Sequence, residues 1–135
     1  MAEWGNAHNL TYFLIGFAHL TDGVLSDAEK GKILTILQKY IDIDNDFAEE
    51  VFRDTQGEYM TDMGYPSPTD EGIQKAQQMM VACAKSWSDG TNRGKDALSG
   101  LLYDTVELAN IDGMIDTEEA LIKGLAELWD VDVKF

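Results

Sequence analysis

Only one cysteine, Cys83, occurs in the 135 residues, which excludes an internal disulfide and a thiolate zinc cluster. It lies in the apolar run Met79-Met80-Val81-Ala82-Cys83-Ala84, a setting that predicts a buried, inert thiol. Proline is nearly as scarce. Pro66 and Pro68 are the only two, so almost the whole chain is free to be helical. Basic residues number ten against twenty-five acidic ones, a formal charge of −15. A surface that negative repels phosphate backbones and anionic headgroups, which argues against nucleic acid and against direct membrane binding. Cations and proteins with a basic surface are left as charged partners, beside the general effect of charge on solubility. No stretch reaches the roughly 18 apolar residues of a membrane span. Met1-Ala2-Glu3-Trp4-Gly5 has neither the basic start nor the apolar core of a secretion signal, so a cytoplasmic location is expected.

Alternating runs of β-branched residues are also missing, and helical spacing takes their place. Leu10, Phe13, Leu14, Phe17 and Ala18 form a stripe over residues 6–20, and Ile33, Ile36, Leu37, Tyr40 and Ile41 form another over 27–41. Phe47, Val51 and Phe52 mark a weaker one over 45–60. Gly64, Pro66 and Pro68 break the chain between Met63 and Thr69. A long helix follows, carrying Ile73, Ala76, Met80, Cys83, Ala84 and Trp87, and Asp89-Gly90-Thr91-Asn92 reads as its terminating turn. Leu98, Leu101, Leu102, Thr105, Val106 and Leu108 predict a fifth helix, and Leu121, Ile122, Leu125, Leu128 and Trp129 the last. The expectation is an all-α, single-domain bundle of six to seven helices over residues 1–135, with Trp87, Trp129 and the Leu/Ile stripes as its core.

One short pattern occurs twice. Thr21-Asp22-Gly23-Val24-Leu25-Ser26-Asp27-Ala28-Glu29 aligns with Ile111-Asp112-Gly113-Met114-Ile115-Asp116-Thr117-Glu118-Glu119, each copy leaving one helix and opening the next. Gly23 and Gly113 suit the left-handed position that ends a helix. Ser26 with Glu29, and Asp116 with Glu119, have the spacing of capping boxes. Asp22 and Asp112 are harder to explain, because a carboxylate at a helix C-terminus is disfavoured by about 0.3–1 kcal/mol. Two things can offset that cost: a hydrogen bond across the turn to free amides of the following helix, or a divalent cation shared with Glu29 or Glu119.

A standard EF-hand is not among the options. Gly113, Asp116 and Glu119 match its glycine and later positions, but Leu108 stands where the first ligand belongs, and the first copy puts Ala18 there. Asp42-Ile43-Asp44-Asn45-Asp46 looks calcium-like, yet Phe47 replaces the glycine and Arg53 the final glutamate, so it reads as a solvated turn and helix start.

A helix followed by Asp-Gly, two residues, a capping Ser or Asp and a Glu three further on resembles the TerB-like family of tellurite-resistance proteins and related co-chaperone domains. The resemblance implies a single helical domain with pseudo-twofold character, in which the two Asp-Gly corners approach each other. It also implies a role in tellurite or general chemical stress, through metal binding or protein assembly. Carried onto this sequence, the acidic set is Asp22, Glu29, Asp112 and Glu119, flanked by Asp116; the repeated corners and the −15 charge suggest as its cation a weakly held Ca²⁺, Mg²⁺ or Mn²⁺. Ser26 stands where the second copy has Asp116, which makes the first corner the poorer ligand set.

Enzyme signatures are lacking. There is no glycine-rich phosphate loop, Gly-x-Ser-x-Gly elbow, His-Glu-x-x-His helix or Glu-x-x-His di-iron pair. His8 and His19 lie about three helical turns apart, too far to share a metal, and read as solvent-facing or capping residues. The expected function is a non-catalytic module with a cation site at its acidic corners. The alternatives are an acidic protein–protein interaction domain without metal, and a carboxylate-based hydrolase using Glu29 or Glu119.

Overall fold

Between Asn6 and Thr21 the chain carries no Asp, Glu, Lys or Arg. A helix without charge on any face is stable only when other elements surround it. That is the place of α1 (Asn6–Asp22) in the computed structural model, which describes residues 5–22, 27–41, 43–64, 69–90, 95–111 and 116–131. For residues 19–22, 90, 95–96, 109 and 116–118 it describes the backbone only. Around α1 stand α2 (Asp27–Tyr40), α3 (Asn45–Met63), α4 (Asp70–Gly90), α5 (Lys95–Asn110) and α6 (Asp116–Trp129). All six are α-helices, and among the described residues there is no strand. The central helix packs on each of the other five, most extensively on α4 and α3.

The sequence stripe of α1 accounts for only part of its buried surface. Thr11, Tyr12 and Ile15 lie outside that stripe and are as fully buried as Leu10, Phe13 and Leu14. The hydroxyl of Thr11 donates back to the Ala7 carbonyl at 2.7 Å, and Thr105 does the same to Leu101 in α5 at 2.7 Å. Each polar group is thereby satisfied within its own helix. Trp87 of α4 and Trp129 of α6 are buried with ring centroids 6.1 Å apart, and Tyr40 of α2 meets Trp87 edge-on at 6.0 Å. The core is the one expected from Trp87, Trp129 and most of the stripe positions, but Leu128 of the last stripe and Phe47 of the α3 stripe are exposed. Cys83 is buried within it, and burial, with the Asp62 charge adding to it, pushes its thiol up to about 11, so it stays protonated and unreactive at neutral pH.

Local chemistry sets the helix ends. Asp44 caps α3 by accepting from the Phe47 amide at 2.8 Å, so the acidic run 43–46 is a helix start. At the other end Gly64 is left-handed (φ 92°), and its N–H reaches the Met60 and Thr61 carbonyls at 3.1 Å. Thr69 then caps α4 by accepting from the Gly72 amide at 3.0 Å. The helix α4 runs on through Asp89 and Gly90, two residues that the Gly-Thr-Asn pattern assigned to a turn. A single glycine at a helix terminus is compatible with either reading, and here it is the last helical residue.

Gly72 lies directly on the end of α3, where a Cβ would collide with the Met63 carbonyl. Gly57, on the exposed face of α3, has nothing within 4 Å. Gly72→Ala should lower stability by about 1–3 kcal/mol through overpacking against backbone, while Gly57→Ala should raise it by about 0.5–1 kcal/mol. Urea unfolding of the two variants checks both signs.

Candidate functional site

The acidic corners divide between described and undescribed residues. Asp22 ends α1 and Asp116 begins α6, each with its backbone alone described. Gly23–Ser26 and the stretch 112–115, which holds Asp112, lie outside the described residues. Glu29 and Glu119 can be placed in full. Glu29, in the first turn of α2, is 4% exposed. Glu119 is half-buried on α6 and receives the Lys123 ammonium at 3.2 Å, one turn further along. Around the two corners, α1 packs on α2, α5 on α6, and α1 on both α5 and α6, so the two helix–corner–helix units are neighbours. Among the described residues no three His, Cys, Asp or Glu side chains are grouped to hold a metal.

Two further carboxylates, outside the corners, are buried under a phenol and an ammonium. Asp62 of α3 accepts from the Tyr12 hydroxyl at 2.7 Å on one oxygen and from Lys75 of α4 at 3.1 Å on the other. Asp104 of α5 repeats the arrangement: Tyr40 donates to Oδ2 at 2.7 Å and Lys39 reaches the same oxygen at 2.9 Å. In both clusters a phenol and an ammonium hold one buried carboxylate, and the lysine stem leads its charge out to water. The first cluster ties α1, α3 and α4 together, and the second ties α2 to α5. Burial and the Asp62 carboxylate raise the Tyr12 phenol far above its usual range. Tyr59 packs edge-on against Tyr12 at 5.6 Å, so Tyr59 is a packing residue, while Tyr65 lies outside the described residues.

These two aspartates were not singled out by sequence, although a signal existed. Phe52, Thr55, Tyr59 and Asp62 run along one face of α3, and Ala97, Leu101, Asp104 and Leu108 along one face of α5. A carboxylate continuing an apolar stripe at helical spacing must be buried with partners, or the stripe is broken.

A cleft of about 370 Å³ between α2 and α3 is lined by Asp27, Lys30, Glu49, Phe52, Arg53 and Gln56. The Lys30 ammonium lies over the Phe52 ring, 5.5 Å from its centroid. Two cations and two carboxylates around one rim select neither sign of ligand. Among the described residues the large exposed apolar side chains are scattered: Phe47 on α3, Val81 on α4, Tyr103 on α5, Ile111 just beyond it and Leu128 on α6. No described helix is long and apolar enough to cross a membrane. Compared with protein-family models, curated proteins and solved structures, the chain matches none of them.

The Tyr12–Asp62 contact gives a pH signature. Unfolded Tyr12 ionises near pH 10, whereas the folded phenol keeps its proton, so its stabilisation is complete below about pH 10 and is lost as pH rises beyond it. Tyr12→Phe should cost about 1.5–3 kcal/mol at pH 8, the range for a hydrogen bond to a charged group. In urea titrations, wild type should then lose stability between pH 9 and 11 more steeply than Tyr12→Phe; parallel losses would show that this phenol is not the titrating group.

Proposed function

We propose that this protein is a non-catalytic, acidic helical module of TerB-like type that works by binding. Its Asp22 and Asp112 corners, with Glu29, Asp116 and Glu119, take a divalent cation (Ca²⁺, Mg²⁺ or Mn²⁺) weakly. The supporting observation is the repeated Asp-Gly corner itself, whose two copies join α1 to α2 and α5 to α6, helices that pack against one another. Carboxylate oxygens, which both corners supply, are the ligands such a cation takes. Resemblance to the TerB-like family adds the physiological setting, a cytoplasmic response to tellurite or related chemical stress.

A second reading is favoured by Glu119, which already has an ammonium partner in Lys123. On that reading the corners are helix caps, and the −15 surface receives a partner protein with a basic face. Among the described residues the exposed apolar side chains are dispersed, and on this reading charge carries the encounter.

Thermal unfolding of metal-stripped protein separates the two. A cation present at about a hundred times its dissociation constant stabilises by about 2.7 kcal/mol, a midpoint shift of several degrees. The cation reading predicts a selective shift with Ca²⁺, Mg²⁺ or Mn²⁺ that disappears in the Asp22→Asn/Asp112→Asn double variant. If no cation shifts the midpoint, or the double variant keeps the shift, the corners are caps and the partner-protein reading stands. A hydrolase would instead require turnover abolished by Glu29→Gln or Glu119→Gln.

A further inference from the structure

The N-terminal turn of α1 contains a buried titratable group that neither reading uses. His8 is 3% exposed, and its Nδ1 accepts a hydrogen bond from the Gly5 amide at 3.1 Å. An imidazole nitrogen that accepts carries no proton, so the ring is held neutral with its proton on Nε2. The Gly5 amide is one of the donors that a helix N-terminus leaves without an intrahelical partner, and Nδ1 takes the part of a capping oxygen. His8 is therefore a cap, as its spacing allowed, but a cap inside the protein and not one facing solvent.

We infer that His8 is an acid-sensitive latch on the central helix: a solvent proton taken up at Nδ1 removes the acceptor for Gly5 and loosens the first turn of α1. Protonation leaves two donors, Nδ1–H and the Gly5 N–H, facing each other, so the bond cannot persist in that geometry. It also places a cation in a buried position. Opposing that cost are the charges of α3, where Asp54 and Glu50 both favour the imidazolium; burial outweighs them and draws the affinity for a proton below that of an exposed histidine. On the α4 side, the contact at this end is uncharged: Asn6 Nδ2 donates to the Trp87 carbonyl at 3.4 Å. Acidification thus acts on the turn from which α1 enters the bundle, while the Tyr12–Asp62–Lys75 cluster holds its middle.

The sign follows from linkage. A histidine whose proton affinity falls on folding contributes stability that is complete above about pH 6.5 and is lost as pH drops below it. Ordinary carboxylates titrate near pH 4, below this window.

The test is an NMR titration of the full chain from pH 7.5 to 5, following the His8 ring and the Gly5 amide together. The latch predicts that the ring titrates below the midpoint of an exposed histidine and that the Gly5 amide resonance moves with the same midpoint. It also predicts that the unfolding constant in urea rises by up to about tenfold between pH 7.5 and 5.5 in wild type and in His19→Asn. In His8→Asn, whose side-chain oxygen can cap Gly5 at any pH, that rise should be absent. A His8 ring titrating at or above the exposed value, or a Gly5 amide indifferent to its titration, overturns the proposal even if His8→Asn does not fold.

Discussion

A helix with no charged side chain over four turns must be enclosed, and enclosing α1 is the constraint on which the rest of this structure depends. Five helices are recruited to cover it, and each contributes an apolar face to a common core around Leu10, Phe13, Leu14 and Phe17. Enclosure has a second consequence. Every polar group that α1 carries inward must find a partner there, because an unpaired buried donor or acceptor costs on the order of 1–3 kcal/mol. Thr11 solves this within the helix, Tyr12 by reaching Asp62 on α3, and the Nδ1 atom of His8 by accepting from Gly5 where α1 begins.

The same device recurs away from the central helix. The pair Tyr12–Asp62 with Lys75, and the pair Tyr40–Asp104 with Lys39, both bury a carboxylate under a phenol and an ammonium. A chain with twenty-five acids and ten bases has few cations to deploy, and two of its lysines are placed on these buried aspartates. The excess negative charge is left on the surface, which is why the functional reading turns on cations and basic partners.

Much of the helical architecture was legible in sequence because helices announce themselves by spacing. Ile33, Ile36, Leu37 and Tyr40 are buried together, as are Ala76, Met80, Cys83, Ala84 and Trp87. What spacing concealed was the full enclosure of α1: a stripe records which residues face one partner, and Tyr12 and Ile15 face others. The signal lay in the missing charges, not in the periodicity. Asp62 and Asp104 were hidden for a related reason, since hydropathy treats any aspartate as a surface residue while only tertiary neighbours supply its phenol and ammonium. At the candidate site, Glu29 is buried where the repeated motif puts a ligand or cap, and Glu119 is claimed by Lys123, a pairing visible in the sequence as an i,i+4 acid–base pair. Asp112 lies outside the described residues, and the side chains of Asp22 and Asp116 with it, so their role rests on the motif alone.

Native-state hydrogen exchange in low urea is the direct measurement of whether α1 is the element that the other helices depend on. The enclosed-helix account predicts that the amides of Phe13, Leu14 and Ile15 exchange only by global unfolding, with the free energy and urea dependence of the whole transition. Exchange of those amides through a smaller opening, at a lower free energy than the amides of α3 and α4, would contradict it.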